Sequence, residues 1–188
     1  MGARALRAPP AAQEGVIVEK RLAELGLSLR DVEQHYRTNP SGAHFSSHLA
    51  HANVLYLSGT TPVRDGKAYL PGVVGRDLTT EQGCEAARSA MLMSLSVLAY
   101  ALGDLDRVEQ ALQLTGFVNS ARGFSDQPRV INGASDLLVE LYGDRGRPTR
   151  AAIGCRGLAG NASVEVVLTV AFRGADVRPP LARDLHQR

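Results

Sequence analysis

The stretch Thr149–Phe172, TRAAIGCRGLAGNASVEVVLTVAF, decides how this chain folds. It divides into two runs, Thr149 to Arg156 and Ser163 to Phe172, joined by a Gly-containing turn around Ala159-Gly160-Asn161, and both runs read as β-strands. Side chains alternate across a strand, so Val164, Val166, Leu168, Val170 and Phe172 share one face, and Ser163, Glu165, Val167, Thr169 and Ala171 share the other. The first face is core that needs helices against it. The second is too apolar for a solvated surface and too small to fill a layer of its own, which predicts that subunit association covers it. In the first run Arg150, Ala152, Gly154 and Arg156 lie on one parity, opposite Ala151, Ile153 and Cys155. This reading puts Arg150 on the second face together with Glu165, fifteen residues further on. Charges in such an interface are costly unless satisfied. Two readings stay open: the two side chains bridge to each other or across subunits, or Arg150 is held for an external carboxylate, which its planar fork binds bidentately.

Working outward, two helices are available to cover the first face. In DLTTEQGCEAARSAMLMSLSVLAYALGDL, Thr79 and Gln82 form a capping box, Ala86, Ala90, Val97 and Ala101 continue one face, and Gly103 ends it. In SDQPRVINGASDLLVELYG, Asp126 reads as the N-cap, Pro128 sits in the first turn, Val130, Ala134, Leu137 and Leu141 line up, and Gly143 stops the helix. Between them RVEQALQLTGFVNS places Val108, Leu112, Leu114 and Val118 on one strand parity. Upstream, NVLYLSG is a strand, and VRDGKAYL carries an Asp65-Gly66 turn towards a second. EGVIVEKRLAELG predicts a short helix with Val18, Leu22 and Leu25 on one face and Gly26 at its end. SLRDVEQHYRTNPSGAHFSSHLAH has no clean period and reads as an irregular connection. The order ββαβαββ predicts an α+β fold, one mixed sheet with both long helices on a single face.

With 188 residues, the chain suits one domain. The expected organisation is a disordered tail over 1–13, one domain over 14–173 with an N-terminal helical extension at 14–45, and a disordered tail over 174–188. The 44% hydrophobic and 21% charged composition lacks any membrane-length apolar run. A net charge of +2 and the absence of tryptophan give no basic stripe or stacking platform for nucleic acid. Cys84 and Cys155 show no metal or redox spacing, and the N-terminus lacks a signal-peptide core. The expectation is a cytoplasmic protein with reduced thiols.

These residues resemble the Rid (reactive intermediate deaminase) or YjgF-like family. The resemblance runs through LYLSG, GDLDRV, LTGFVNS, VINGASDLLVELYG and RAAIGCRGLAGNASVEV, covering roughly Asn53 to Phe172, with VEKRLAELGLSL similar to a longer subgroup. It implies a chorismate-mutase-like fold, a homotrimer with pockets between subunits, and hydrolysis of 2-imino acids such as 2-iminobutyrate to 2-oxo acids and ammonia, without metal or cofactor. Arg150 would bind the substrate carboxylate and Glu165 would serve as general base; Ser58 and Asn132 match positions near or supporting the pocket. Two departures stand out: Phe45 occupies the place of a pocket tyrosine, keeping the ring and losing the hydroxyl, and Ala152 replaces a cysteine. Cys155 lies on the opposite parity and reads as a small core residue.

His44, His48 and His51 cluster without a nearby carboxylate and read as a polar loop, one of them open to a pocket role, with no metal. Arg145, Arg147, Arg150 and Arg156 read as a solvated loop plus one pocket arginine. The alternatives to a deaminase are a non-catalytic small-carboxylate-binding or regulatory module of the same fold, and a ribonuclease or translation-inhibitor activity.

Overall fold

The first helix, α1 (Ile17–Glu24), forms where Val18 and Leu22 recur at helical spacing, and both are buried. The computed structural model describes residues 17–38 and 45–181; the N-terminal tail and His44 lie outside the described residues. Asp106 Oδ2 accepts the Ile17 N–H at 2.8 Å and Glu19 Oε1 accepts the Leu105 N–H, so carboxylates tie α1 to the body of the protein.

The segment expected to be irregular contains a helix, α2 (Val32–Thr38), and a strand, β1 (His48–His51). Asp31 Oδ1 caps α2 by accepting the Gln34 N–H, and Val32 and Tyr36 are buried one turn apart. Two apolar residues are too few to announce a period. Strand β1 forms a hairpin with β2 (Val54–Leu57), closed between His51 and Val54 with Ala52 at φ 52°. Because Gly or Asn is the usual residue at such a position, this turn carried no signal.

Next come β3 (Val63–Arg64) and β4 (Lys67–Ala68), a separate two-stranded hairpin around Asp65-Gly66 and no part of the main sheet. The long helix α3 (Thr80–Leu102) has the expected capping box, with the Gln82 N–H on Thr79 Oγ1 and the Thr79 N–H on Gln82 Oε1, and ends at left-handed Gly103. Strand β5 (Val108–Asn119), helix α4 (Gln127–Tyr142), β6 (Thr149–Cys155) and β7 (Val164–Phe172) complete the chain. Pro128 opens α4 and Asp126 precedes it without a side-chain cap bond.

The main sheet has order β1-β2-β7-β5-β6. β5 and β6 are parallel, joined through α4, and the other pairs are antiparallel. β6 and β7, consecutive in sequence, are therefore not neighbours, because β5 lies between them. Helices α3 and α4 cover one face, over Leu55, Leu114, Val164, Val166, Leu168 and Val170, all fully buried. Two register shifts in β5 change its parity: Val108 and Ala111 face inward, while Leu112, expected on the core side, is 36% exposed.

The opposite sheet face has no element over it among the described residues. It presents Leu49 at 64% exposure, Tyr56 at 48% and Ile153 at 43%, with Phe117 and Val167 half-buried. Beyond β7 the chain is fastened rather than loose. Ser47 exchanges backbone hydrogen bonds with Leu181 through its N–H and side chain, and the Arg178 N–H donates to the Ala101 carbonyl. Residues 174–181 of the expected tail are thus pinned to the domain; the rest lies outside the described residues.

Candidate functional site

Arg150 is exposed near the start of β6, the edge strand. It is aligned with Leu114 of β5, whose side chain is buried beneath the helices, so Arg150 projects to the helix side of the sheet. Its Nη1 donates to Asn132 Oδ1 and to Ser135 Oγ, both at 2.8 Å. These two residues lie three apart on α4 and so share a helix face. Nη1 has two hydrogens, and both are spent. No described residue accepts from Nε or Nη2, the parallel pair of donors that grips a carboxylate side-on. The only sequence signal for Ser135 is the polar pair it forms with Asn132 at i and i+3 on α4.

Glu165 lies on the other face. It is aligned with Phe117, between the buried Val164 and Val166, and is half-buried on the open side of the sheet. The expectation that Arg150 and Glu165 share a face is therefore overturned by register. β5 separates their strands and the aligned rows, Leu114 and Phe117, are three residues apart. Two strand spacings and three residue rises put the two Cα atoms roughly 14 Å apart. Within one protomer the two side chains leave the sheet on opposite faces.

The Glu165 carboxylate lies directly over Gly59, where a Cβ would stand 1.9 Å from Oε1. Here the LSG sequence has a steric reason: its glycine makes room for the carboxyl group. Burial pushes the Glu165 carboxyl above its ordinary value. The adjacent Ser58 hydroxyl donates to the Ser46 carbonyl at 2.6 Å, holding the segment that leads into β1.

Phe45 is 39% exposed and packs edge-on against Tyr36, ring centroids 6.3 Å apart. Ala152 follows Arg150 on the same parity and is half-buried. Cys155 is half-buried at the end of the edge strand, outside the core where it was expected. His48 is no loop residue either. It is buried in β1 with Nδ1 against Ser47 Oγ and Nε2 against the Arg178 carbonyl, so it fastens the C-terminal segment. Burial holds its imidazole below the usual histidine value, against the opposing bond to Arg178.

Residues 19–171 match the model of the family described as "YjgF/chorismate mutase-like, putative endoribonuclease". Protein TCP17 of Trypanosoma cruzi is 40% identical over 123 residues, 65% of this chain and 77% of that protein. The crystal structure of Atu1372 from Agrobacterium tumefaciens, titled as of unknown function, is similar at a TM-score of 0.75 and 36% identity, covering 84% of this chain and 94% of that one. A structure from Shewanella oneidensis titled "putative endoribonuclease" is similar at 0.76 and 29% identity, over 82% and 99%.

Proposed function

Because the chain belongs to the YjgF/chorismate-mutase-like family, we propose that it is a Rid-type deaminase, hydrolysing 2-imino acids such as 2-iminobutyrate to 2-oxo acids and ammonia. The observation that carries this reading is the Arg150 guanidinium, oriented by Asn132 and Ser135 on one nitrogen and open along its Nε–Nη2 edge. Since Arg150 and Glu165 leave one protomer on opposite sheet faces, the complete site lies between two copies. Arg150 holds the carboxylate on the helix-side rim of one copy, and Glu165 comes from the open face of its neighbour. A homotrimer closes both needs, covering Leu49, Tyr56 and Ile153 and completing each pocket. The Tyr56→Asp and Ile153→Asp double variant is expected to sediment as a monomer and to lose activity, with wild type sedimenting as a trimer; a monomeric wild type at micromolar concentration would remove the shared site.

In the reaction, Glu165 takes a proton from water as its oxygen bonds to the iminium carbon, giving a carbinolamine. The protonated carboxyl then passes that proton to nitrogen; the C–N bond breaks, ammonia leaves, and the hydroxyl gives its proton back to the Glu165 carboxylate to form the 2-oxo acid. An iminium carbon is already electrophilic, so positioning and one proton carrier suffice. Neither step calls on a metal or cofactor.

The raised carboxyl value sets two signs. As a base Glu165 must be ionised, so kcat/KM is expected to fall on the acid side at a higher pH than an ordinary glutamate would give. A carboxyl raised in the folded state also favours folding below its unfolded value and loses that contribution as pH rises through its folded value. Glu165→Gln should therefore melt higher than wild type at pH 8, the difference vanishing in acid, while abolishing turnover. A lower melting temperature at pH 8 would mean that the carboxylate is structural.

The ribonuclease reading finds little support in the surface charges. Arg64, Arg76, Arg129 and Arg147 are each paired with an exposed carboxylate that would repel a phosphate backbone. The deciding experiment generates 2-imino acids in situ with an amino-acid oxidase, traps them with semicarbazide, and compares wild type with Arg150→Ala and Glu165→Gln. Less trapped imine with wild type alone supports the deaminase. Binding of 2-oxo acids without hydrolysis points to the carboxylate-binding module, and RNA cleavage that Arg150→Ala abolishes points to the ribonuclease.

A further inference from the structure

The N-terminal extension builds a cavity whose lining includes neither Arg150 nor Glu165. It has a volume of about 400 Å³ and lies where the entry to α2 faces the β3–β4 hairpin and the middle of α3, within the size range of small-molecule sites. Leu29, Val63 and Met93 supply apolar wall, and Arg30, Asp31 and Asp65 supply charge.

Arg30 is the informative residue. Its backbone N–H is held by Ser96 Oγ at 2.8 Å, which roots the side chain at the cavity wall; its Nε is sealed among protein atoms, and its terminal nitrogens, which donate to no described group, are the ones a ligand can reach. Guanidinium nitrogens left without an acceptor can grip a carboxylate. Two carboxylates line the same cavity, but no ion pair joins either to Arg30 among the described residues. Asp31 spends one oxygen on the cap of α2, accepting the Gln34 N–H. Asp65 stands in the hairpin turn at φ 52°.

The cavity therefore offers both signs of charge, uncollapsed, beside an apolar wall. A simple anion such as phosphate would face two carboxylates, and a simple cation would face Arg30. A ligand that carries both signs meets neither penalty. We infer that this cavity binds a small zwitterion, an α-amino acid with an apolar side chain: its carboxylate on Arg30, its ammonium on Asp31 and Asp65, its side chain against Leu29, Val63 and Met93. Such a ligand also braces α2, whose Tyr36 packs on Phe45, and so bears on the element beside the candidate deaminase site. The inference does not depend on that site's activity.

Titration calorimetry on the full chain tests it, with L-leucine, L-valine and L-methionine as probes and two truncated leucine analogues, 4-methylpentanoate and 3-methylbutylamine. At least one amino acid is expected to bind, with each analogue weaker by about tenfold or more. Arg30→Gln should weaken it by about tenfold, and Asp65→Asn should also weaken it. Asn tolerates the left-handed backbone at residue 65, so that variant keeps its fold. Arg150→Ala should bind as wild type does. No heat with any of the three amino acids, analogues that bind as well as leucine, or binding lost in Arg150→Ala but kept in Arg30→Gln would each overturn the inference.

Discussion

Arg150→Ala is expected to lower kcat/KM for 2-imino acid hydrolysis by about 10² to 10⁴. The open Nε–Nη2 edge can make two charge-assisted bonds to a carboxylate, together worth about 3 to 5 kcal/mol. Stability should barely change, because Arg150 is exposed and its partners Asn132 and Ser135 are only half-buried, so water replaces the lost donor. Arg150→Lys keeps the charge and loses the fork, so it should fall between the two. Ser135→Ala releases one of the two anchors on Nη1 and should raise KM more than it lowers kcat. Steady-state kinetics on in situ imine, with melting curves beside them, read all of these; an unchanged kcat/KM in Arg150→Ala would remove the arginine from the site.

The largest stability loss is expected at Gly133. This residue of α4 faces the backbone of α3, and a Cβ there would lie 1.9 Å from the Cys84 carbonyl oxygen and 3.1 Å from the Arg88 nitrogen. Alanine is the better helix former by about 1 kcal/mol, which by itself predicts stabilisation of Gly133→Ala. The collision decides the sign, since the obstructing atoms are helix backbone that cannot rotate away and the two helices must separate over a packed core. Overpacking of this kind is destabilising by about 3 kcal/mol, or a fall in melting temperature of roughly 6 to 12 °C for a chain of this size. Gly83 is the control: a Cβ there meets only side chains of Val130 and Val74 at 3.2 Å, which can shift by a few tenths of an ångström. If Gly133→Ala melts no lower than Gly83→Ala, the close helix contact is not holding the helical layer.

The two long helices were legible in the chain because their signals are local. Thr79, Gln82 and Gly103 delimit α3 within a few residues of its ends, and Pro128 and Gly143 do so for α4. The unevenly burdened face of β7 was legible too, since alternation needs only one strand. It predicted an uncovered surface, and Leu49, Tyr56 and Ile153 stand on it. Weak local signals were missed: α2 rests on one cap and two apolar residues, and β1 turns through an alanine. Of the residues at the candidate site, Arg150 and Glu165 could be named from the chain and Asn132 through the resemblance, while Ser135, its partner on Arg150, could not.

What no local pattern could supply was the pairing of distant strands. Parity within β6 groups Arg150 with Ala152 and Gly154, but which sheet face that group takes depends on its alignment with Leu114, Gly116 and Val118, some 36 residues earlier. The two bulges in β5 shift parity in the same hidden way and expose Leu112. A strand repeats every two residues, so a one-residue change in register moves every side chain to the other face. The alternation of Val164 to Phe172 thus belongs to the chain itself. That Arg150 and Glu165 stand on opposite faces belongs to register, which forms only when segments far apart in sequence pack together.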